Sequence, residues 1–268
     1  MTDTAWYQAW FNSPFYHQLY FERNEEEARL FIDRLVQHLQ PQPGSLVVDI
    51  ACGRGRHSRM LAGYGLEVTG VDLAPDNIAH AQQAGPDNIQ FFIHDIRLPF
   101  WVNYFDYAFN LFTGFGYFRT RREHDDAMRT IAGSLKPGGI VVFDYLNPHF
   151  AEDHLVPDEV KEIGATRYDI RRWHDETHFY KKIKIADPTL PDPYTVTEQL
   201  AKFSLGDFTD MLSFQSLQVQ QVFGDYQLGA YDIRKTPRLI VIAKKRTHHP
   251  EDKEKRLYSD GRTTDALT

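Results

Sequence analysis

The segment Val47-Val-Asp49-Ile-Ala-Cys-Gly53-Arg-Gly55-Arg-His57-Ser58 carries the most informative spacing in the chain. An apolar run ends beside a carboxylate, small residues turn tightly, and helical periodicity resumes at Arg56. Gly53 and Gly55 let the backbone come close to a ligand, and a helix start offers unpaired N–H groups to a nucleotide-like molecule. Asp72 closes the next apolar run 19 residues beyond Gly53, near the offset of about 20 at which an acid binds ribose hydroxyls in dinucleotide folds. Two features set the segment apart from those folds. Ser58 stands where the third glycine of Gly-x-Gly-x-x-Gly would fall, and Asp49 would crowd a pyrophosphate. A carboxylate there suits a positively charged cofactor without phosphate, and an NAD-dependent oxidoreductase is disfavoured.

S-adenosylmethionine is such a cofactor, and residues 45–146 resemble the class I S-adenosylmethionine-dependent methyltransferases in four ordered segments. Asp49-Ile-Ala-Cys-Gly53-Arg-Gly55 resembles the glycine-rich first motif, with Ala51 where many members have another Gly, and Cys52 as a small buried residue. Val71-Asp72-Leu73 resembles the second-strand motif, which implies that Asp72 holds the ribose and Leu73 lies against adenine. His94-Asp95-Ile96 resembles the third, which implies that Asp95 accepts from the adenine amino group while Ile96 frames the ring. Leu135-Lys-Pro-Gly-Gly139-Ile-Val-Val-Phe143 resembles the turn into strand five.

The resemblance also bears on the acceptor. Asn110, Leu111 and Phe112 follow strand four, where the family borders the methionine part of the cofactor, and Phe115, Tyr117 and Phe118 continue an aromatic wall able to face a sulfonium. Near the N-terminus, Tyr16, Tyr20 and Arg23 resemble a lid that closes over the methionine end, the forked Arg23 suiting a carboxylate. Methyl transfer from a sulfonium is an in-line displacement needing alignment, plus one base for a hydroxyl or ammonium acceptor. His17, Tyr117, Tyr145 and His149 are the candidates, and the residues alone do not choose among them. Asn110-Leu-Phe-Thr lacks the Asn-Pro-Pro-Tyr type of motif that methylates nucleic-acid amino groups. The expected activity is transfer to an N or O atom of a small molecule; a catalytically silent S-adenosylmethionine-binding protein is the competing reading.

The elements that must position these residues are legible from periodicity. Apolar runs at 46–50, 67–71, 89–93, 105–112 and 140–145 alternate with helices at 56–62, 75–84 and 122–135, which predicts βαβ units and a parallel sheet. Asn24 as N-cap and Glu25, Glu26 and Glu27 in the first turn start a helix whose apolar face runs from Ala28 to Leu39. After Asn147, strands at 166–173, 179–185 and 195–205 follow without intervening helices, then a helix capped by Gly206 and Asp207, and strands at 217–223 and 239–243. The predicted fold is α/β, a doubly wound, mostly parallel seven-stranded sheet with an inserted small antiparallel β-sheet. Residues 1–43 read as an aromatic lid and helix, 44–146 as the cofactor core, and 147–205 as an inserted cover or dimer surface. Residues 206–245 read as the last helix and two strands of the core, and 246–268 as a polar, disordered tail.

Composition narrows the partners. The 268 residues carry 30 Lys and Arg against 37 Asp and Glu, a net charge of −7, which repels nucleic-acid backbones. No apolar run reaches the roughly 20 residues a membrane helix needs, and the single cysteine gives neither a disulfide nor a thiolate metal cage. A cytoplasmic protein acting on a small molecule, with no metal, is expected.

Overall fold

A computed structural model describes residues 6–20, 25–83 and 85–247. The expectations for Arg23, Asn24 and most of the tail lie outside these residues. Two short helices, α1 (Trp6–Phe11) and α2 (Pro14–Leu19), precede α3 (Glu25–Leu39). The core alternates β1 (Leu46–Ile50), α4 (Arg56–Ala62), β2 (Glu67–Asp72), α5 (Pro75–Ala81), β3 (Ile89–Ile93), β4 (Phe105–Asn110), α6 (Arg121–Ser134) and β5 (Leu135–Leu146). After α7 (Pro148–Asp153) come β6 (Asp158–Ile163), β7 (Thr166–His174), β8 (His178–Ala186) and β9 (Tyr194–Ala201). The last elements are α8 (Leu205–Phe214), β10 (Leu217–Phe223) and β11 (Arg238–Lys245).

Seven strands form one sheet in the order β10-β11-β5-β4-β1-β2-β3, parallel except where β11 meets β10 and β5. Residues alternate between its faces. Ala108, Val141 and Phe143 pack with Met128 and Ile131 of α6 and Phe208 of α8, whereas Phe109 and Val142 pack with Phe31 and Leu35 of α3 and Leu61 of α4. The strand order reverses between β1 and β4, and ligands of open α/β sheets bind outside the carboxyl ends at such a point.

The remaining strands make a four-stranded antiparallel meander, β6-β7-β8-β9. Its inner face (Tyr168, Ile170, Ile183, Ile185, Val196) takes up Trp10 of α1 and Leu19 of α2. Trp10 is fully buried and its indole N–H donates to Glu198 Oε1 at 2.7 Å. The N-terminal aromatics thus pack mainly on the second sheet. That sheet is tied to the core where Ala201 N donates to Gly116 O at 2.9 Å.

Several boundaries differ from the sequence reading. β4 stops at Asn110 rather than 112, because Phe112 and Thr113 turn into left-handed backbone, φ +54° and +60°. β5 starts at Leu135 rather than Ile140, pairing with Phe105 before the register shifts. α5 ends at Ala81, with 82–83 in a turn and residue 84 outside the described residues. β9 ends at Ala201, because Ser204 and Asp207 form a capping box that starts α8. The cap is therefore Ser204, and Gly206 lies inside the helix. α7 and β6 were not anticipated. Asp158-Glu-Val-Lys-Glu-Ile alternates exposed and half-buried residues at a sheet edge, so its polarity hid its pairing.

Candidate active site

The loop after β1 is built by left-handed residues, Ala51 (φ +57°), Gly53 (+55°) and Gly55 (+76°). A Cβ on Gly55 would lie 2.5 Å from the Phe91 ring, so that glycine is required by packing. A Cβ on Gly53 would meet nothing within 4 Å, which leaves the backbone there open to a ligand. Beneath the loop Asp49 is buried and accepts from Ser58 Oγ at 2.6 Å. The residue at the third glycine position therefore anchors the carboxylate of the first motif. Burial pushes the Asp49 acid up to about 7, the Ser58 hydrogen bond opposing it.

Asp72, at the end of β2, accepts from Gly53 N at 2.9 Å through Oδ2 and from Ala74 N at 2.8 Å through Oδ1. One carboxylate thereby fixes the turns after both strands. Burial raises its pKa against those bonds. Burial likewise raises the Cys52 thiol well above its usual value, so it stays protonated at neutral pH and is no nucleophile.

These loops border a cavity of about 400 Å³. Of the expected cofactor residues, Tyr16, Tyr20, Ala51, Cys52, Gly53, Asp72, Leu111 and Phe112 line it, as do the candidate bases His17 and Tyr117. Asp49, Gly55 and Asn110 lie behind this lining rather than in it; Asn110 Nδ2 braces the Ile50 carbonyl at 3.1 Å. Leu73, Asp95 and Ile96 do not line it either. Asp95 is engaged by Arg97, which donates from Nε at 3.0 Å and Nη2 at 2.6 Å and also pairs with Glu123. Burial would raise the Asp95 acid, but these hydrogen bonds and the Arg97 charge hold it below its ordinary value.

The candidate bases divide the same way. Burial, with Arg54 nearby, lowers His17 to about 4, so its imidazole is neutral at pH 7. Tyr145 is fully buried and its hydroxyl donates to Ala201 O, while His149 on α7 faces Glu152 at 3.6 Å. Neither is among the residues lining the 400 Å³ cavity or the second cavity described below. Sequence reasoning missed Arg54, Asn77 and His80, which also line the 400 Å³ cavity; Asn77 and His80 sit on α5 three residues apart, a spacing that signals one helix face. A second cavity of about 630 Å³ lies between the antiparallel sheet, α7 and the core, and Tyr117 borders both. Its walls include Leu146, Phe150, Phe179 and Leu200, with Lys181 and Glu198 among its polar groups. Among the described residues no cluster of three or more His, Cys, Asp or Glu is arranged for a metal, and no helix is long and apolar enough to cross a membrane.

Comparison with known proteins agrees with this geometry. Residues 47–139 match the family model of a methyltransferase domain. The chain is 31% identical over 136 residues to the dTDP-3-amino-3,4,6-trideoxy-alpha-D-glucopyranose N,N-dimethyltransferase of Streptomyces venezuelae, covering 49% of this chain and 56% of that protein. Among solved structures, an S-adenosylmethionine-dependent methyltransferase of Clostridium acetobutylicum superposes with a TM-score of 0.72 at 15% identity, covering 87% of this chain and 96% of that one. CalS10, an amino pentose methyltransferase of Micromonospora echinaspora solved with S-adenosylmethionine, gives 0.64 at 19% identity, covering 87% and 97%. Residues 47–139 are thus similar to a methyltransferase domain, and the chain shares its fold with S-adenosylmethionine-dependent methyltransferases of known structure.

Proposed function

We propose that the chain moves the methyl group of S-adenosylmethionine to an N or O atom of a small molecule held in the second cavity. The observation that carries this reading is the shared wall: Tyr117 borders both cavities, so ligands in the two would meet beside it. The first cavity fits the cofactor in its polar chemistry. His17 Nε2, Asn77 Oδ1 and Arg54 Nε are buried without a partner among the described residues, and all three residues line it. Buried polar atoms in native proteins are normally satisfied, so a ligand rich in donors and acceptors suits the site.

In this reading Asp72 receives the ribose hydroxyls. Its two oxygens offer about four acceptor positions, of which Gly53, Ala74 and, at 3.5 Å, Asn77 take three. The open backbone at Gly53 receives the cofactor's body, and Asp49 supplies negative charge beneath the loop. Asp95 serves the adenine amino group only with the capacity Arg97 leaves it. His17, neutral at pH 7, accepts a hydrogen bond. When bound, S-adenosylmethionine supplies a methyl group already activated on a sulfonium, so the protein's task is alignment and exclusion of water. Helices α1 and α2 close the site by packing on the antiparallel sheet, with Asn12 Nδ2 donating to Asp76 Oδ2 of α5 at 2.8 Å.

The mainly apolar second cavity and the net charge of −7 favour a small acceptor over nucleic acid. The test is incubation with methyl-¹³C-labelled S-adenosylmethionine and a low-molecular-weight metabolite extract, followed by mass spectrometry. Labelled small molecules are expected with the wild type and, at a limiting cofactor concentration, in much lower yield with Asp72→Ala. Label only in RNA or protein fractions added in parallel would refute the acceptor class.

A further inference from the structure

One wall of the cofactor cavity is held in shape by a buried ion pair whose members lie 94 residues apart. Phe112 and Thr113 adopt consecutive positive φ angles, +54° and +60°, a backbone that residues with a Cβ rarely take, β-branched threonine least of all. Such a turn persists only where its surroundings over-determine it. Asp144 of β5 accepts from Phe112 N at 2.8 Å through Oδ2, and its main-chain carbonyl accepts from Thr113 N at 2.9 Å. Arg238 of β11 donates to Asp144 Oδ1 from Nε at 2.8 Å, and its Nη2 lies 2.7 Å from the same oxygen as an ion pair. The same Nη2 donates to Thr113 Oγ1 at 3.0 Å. Tyr226 completes the set, its hydroxyl donating to Asp144 Oδ2 at 3.3 Å. The Phe112 ring stacks on Tyr226 (centroids 5.1 Å apart) and on His57 (4.9 Å), each tilted by 26°.

Phe112, Thr113 and His57 line the cofactor cavity, whereas Asp144, Arg238 and Tyr226 do not. Asp144 has no exposed side-chain surface and Arg238 has 17%. A buried ion pair often stabilises a fold no better than apolar residues of the same volume would. What this pair contributes is geometry: it prevents the 112–113 turn from relaxing to a right-handed or extended form. We propose that Asp144 and Arg238 are positioning residues for the transfer reaction, fixing the strained turn that forms part of the cofactor cavity's wall. The proposal rests on reading this cavity as the S-adenosylmethionine site.

Three variants separate positioning from folding. Arg238→Lys keeps the charge but loses the fork that reaches Asp144 and Thr113 together. Thr113→Val removes only the hydroxyl acceptor. Asp144→Leu with Arg238→Met replaces the pair by apolar volume. Each is titrated calorimetrically with S-adenosylhomocysteine, melted without ligand, and examined by NMR for the His57 ring resonances, which sense the Phe112 ring current. Arg238→Lys is expected to bind about tenfold more weakly, the equivalent of one net hydrogen bond, with an unchanged unfolding midpoint and displaced His57 resonances. Thr113→Gly, which takes positive φ without steric cost, should recover part of the lost affinity in the Arg238→Lys background.

Wild-type affinity together with unmoved His57 resonances in Arg238→Lys and Thr113→Val would overturn the proposal. So would a loss of affinity that merely follows a loss of stability. If the double variant does not fold, the two single variants decide. If the wild type itself binds no S-adenosylhomocysteine, the cofactor reading fails, and the His57 resonances of the free Arg238→Lys protein still decide whether the pair holds the turn.

Discussion

Replacing Asp72 with Ala removes one carboxylate that serves three purposes. It accepts from Gly53 N at 2.9 Å and from Ala74 N at 2.8 Å, and in the proposed reading it keeps roughly one acceptor position for a ribose hydroxyl. A hydrogen bond to a charged partner contributes about 1.5–3 kcal/mol, so losing that one contact weakens binding between roughly tenfold and roughly 150-fold. Loosening of the Gly53 turn adds to the loss. Folding should suffer less than binding, because burial already holds the carboxylate against a desolvation cost, as its raised pKa records. Asp72→Asn, which keeps the volume and one acceptor oxygen but not the charge, should fall between wild type and Ala. The assay is calorimetry with S-adenosylhomocysteine on both variants, paired with thermal unfolding. A Kd for Asp72→Ala within about twofold of wild type, in a protein that melts normally, would refute the ribose role.

Other consequences follow from burial and charge. Asp49 has its pKa raised from 3.8 to about 7, so the folded state binds more protons between those values. Its contribution to stability is therefore greatest in acid and is lost as pH rises from about 4 through 7; Asp49→Asn should lack that fall in a melting series from pH 4 to 8, and parallel curves would contradict it. His17, lowered from 6.5 to about 4, has the opposite sign. Its contribution is full above about 6.5 and is lost as pH falls towards 4, so His17→Gln should be less acid-sensitive than wild type. Trp10→Phe leaves Glu198 without the indole donor and should cost about 1–3 kcal/mol, whereas Trp10→Ala should cost about 3–5 kcal/mol. Denaturant unfolding checks both, and equal losses would contradict the packing contribution, leaving the lost hydrogen bond as the whole effect.

The parts of the site that were legible are local. The turn after β1, its glycines and the acid ending β2 lie within about 25 residues of sequence, and their spacing reports one supersecondary unit. The boundary misjudged at β4 shows what periodicity misses: Phe112 and Thr113 are not residues that announce a left-handed turn, and the turn is imposed by Asp144 and Arg238 from strands paired far along the chain. The aromatic N-terminus reads as a lid, but the face it packs on, Tyr168 to Val196, becomes continuous only when β7, β8 and β9 align. Ser58 counted only against a dinucleotide site until the fold brought its hydroxyl to Asp49. His149 and Tyr145 stood near the expected mouth by sequence position, but Tyr145 points into the core and His149 pairs along its own helix.

The central claim is that the cavity between the β1, β2 and β4 loops binds S-adenosylmethionine. Calorimetric titration of the purified chain with S-adenosylmethionine, S-adenosylhomocysteine and reduced nicotinamide adenine dinucleotide in parallel tests it most directly. One molecule of each adenosyl ligand should bind per chain, with no heat from the nicotinamide. Nicotinamide binding, or no binding of either adenosyl compound by a folded protein, would contradict it.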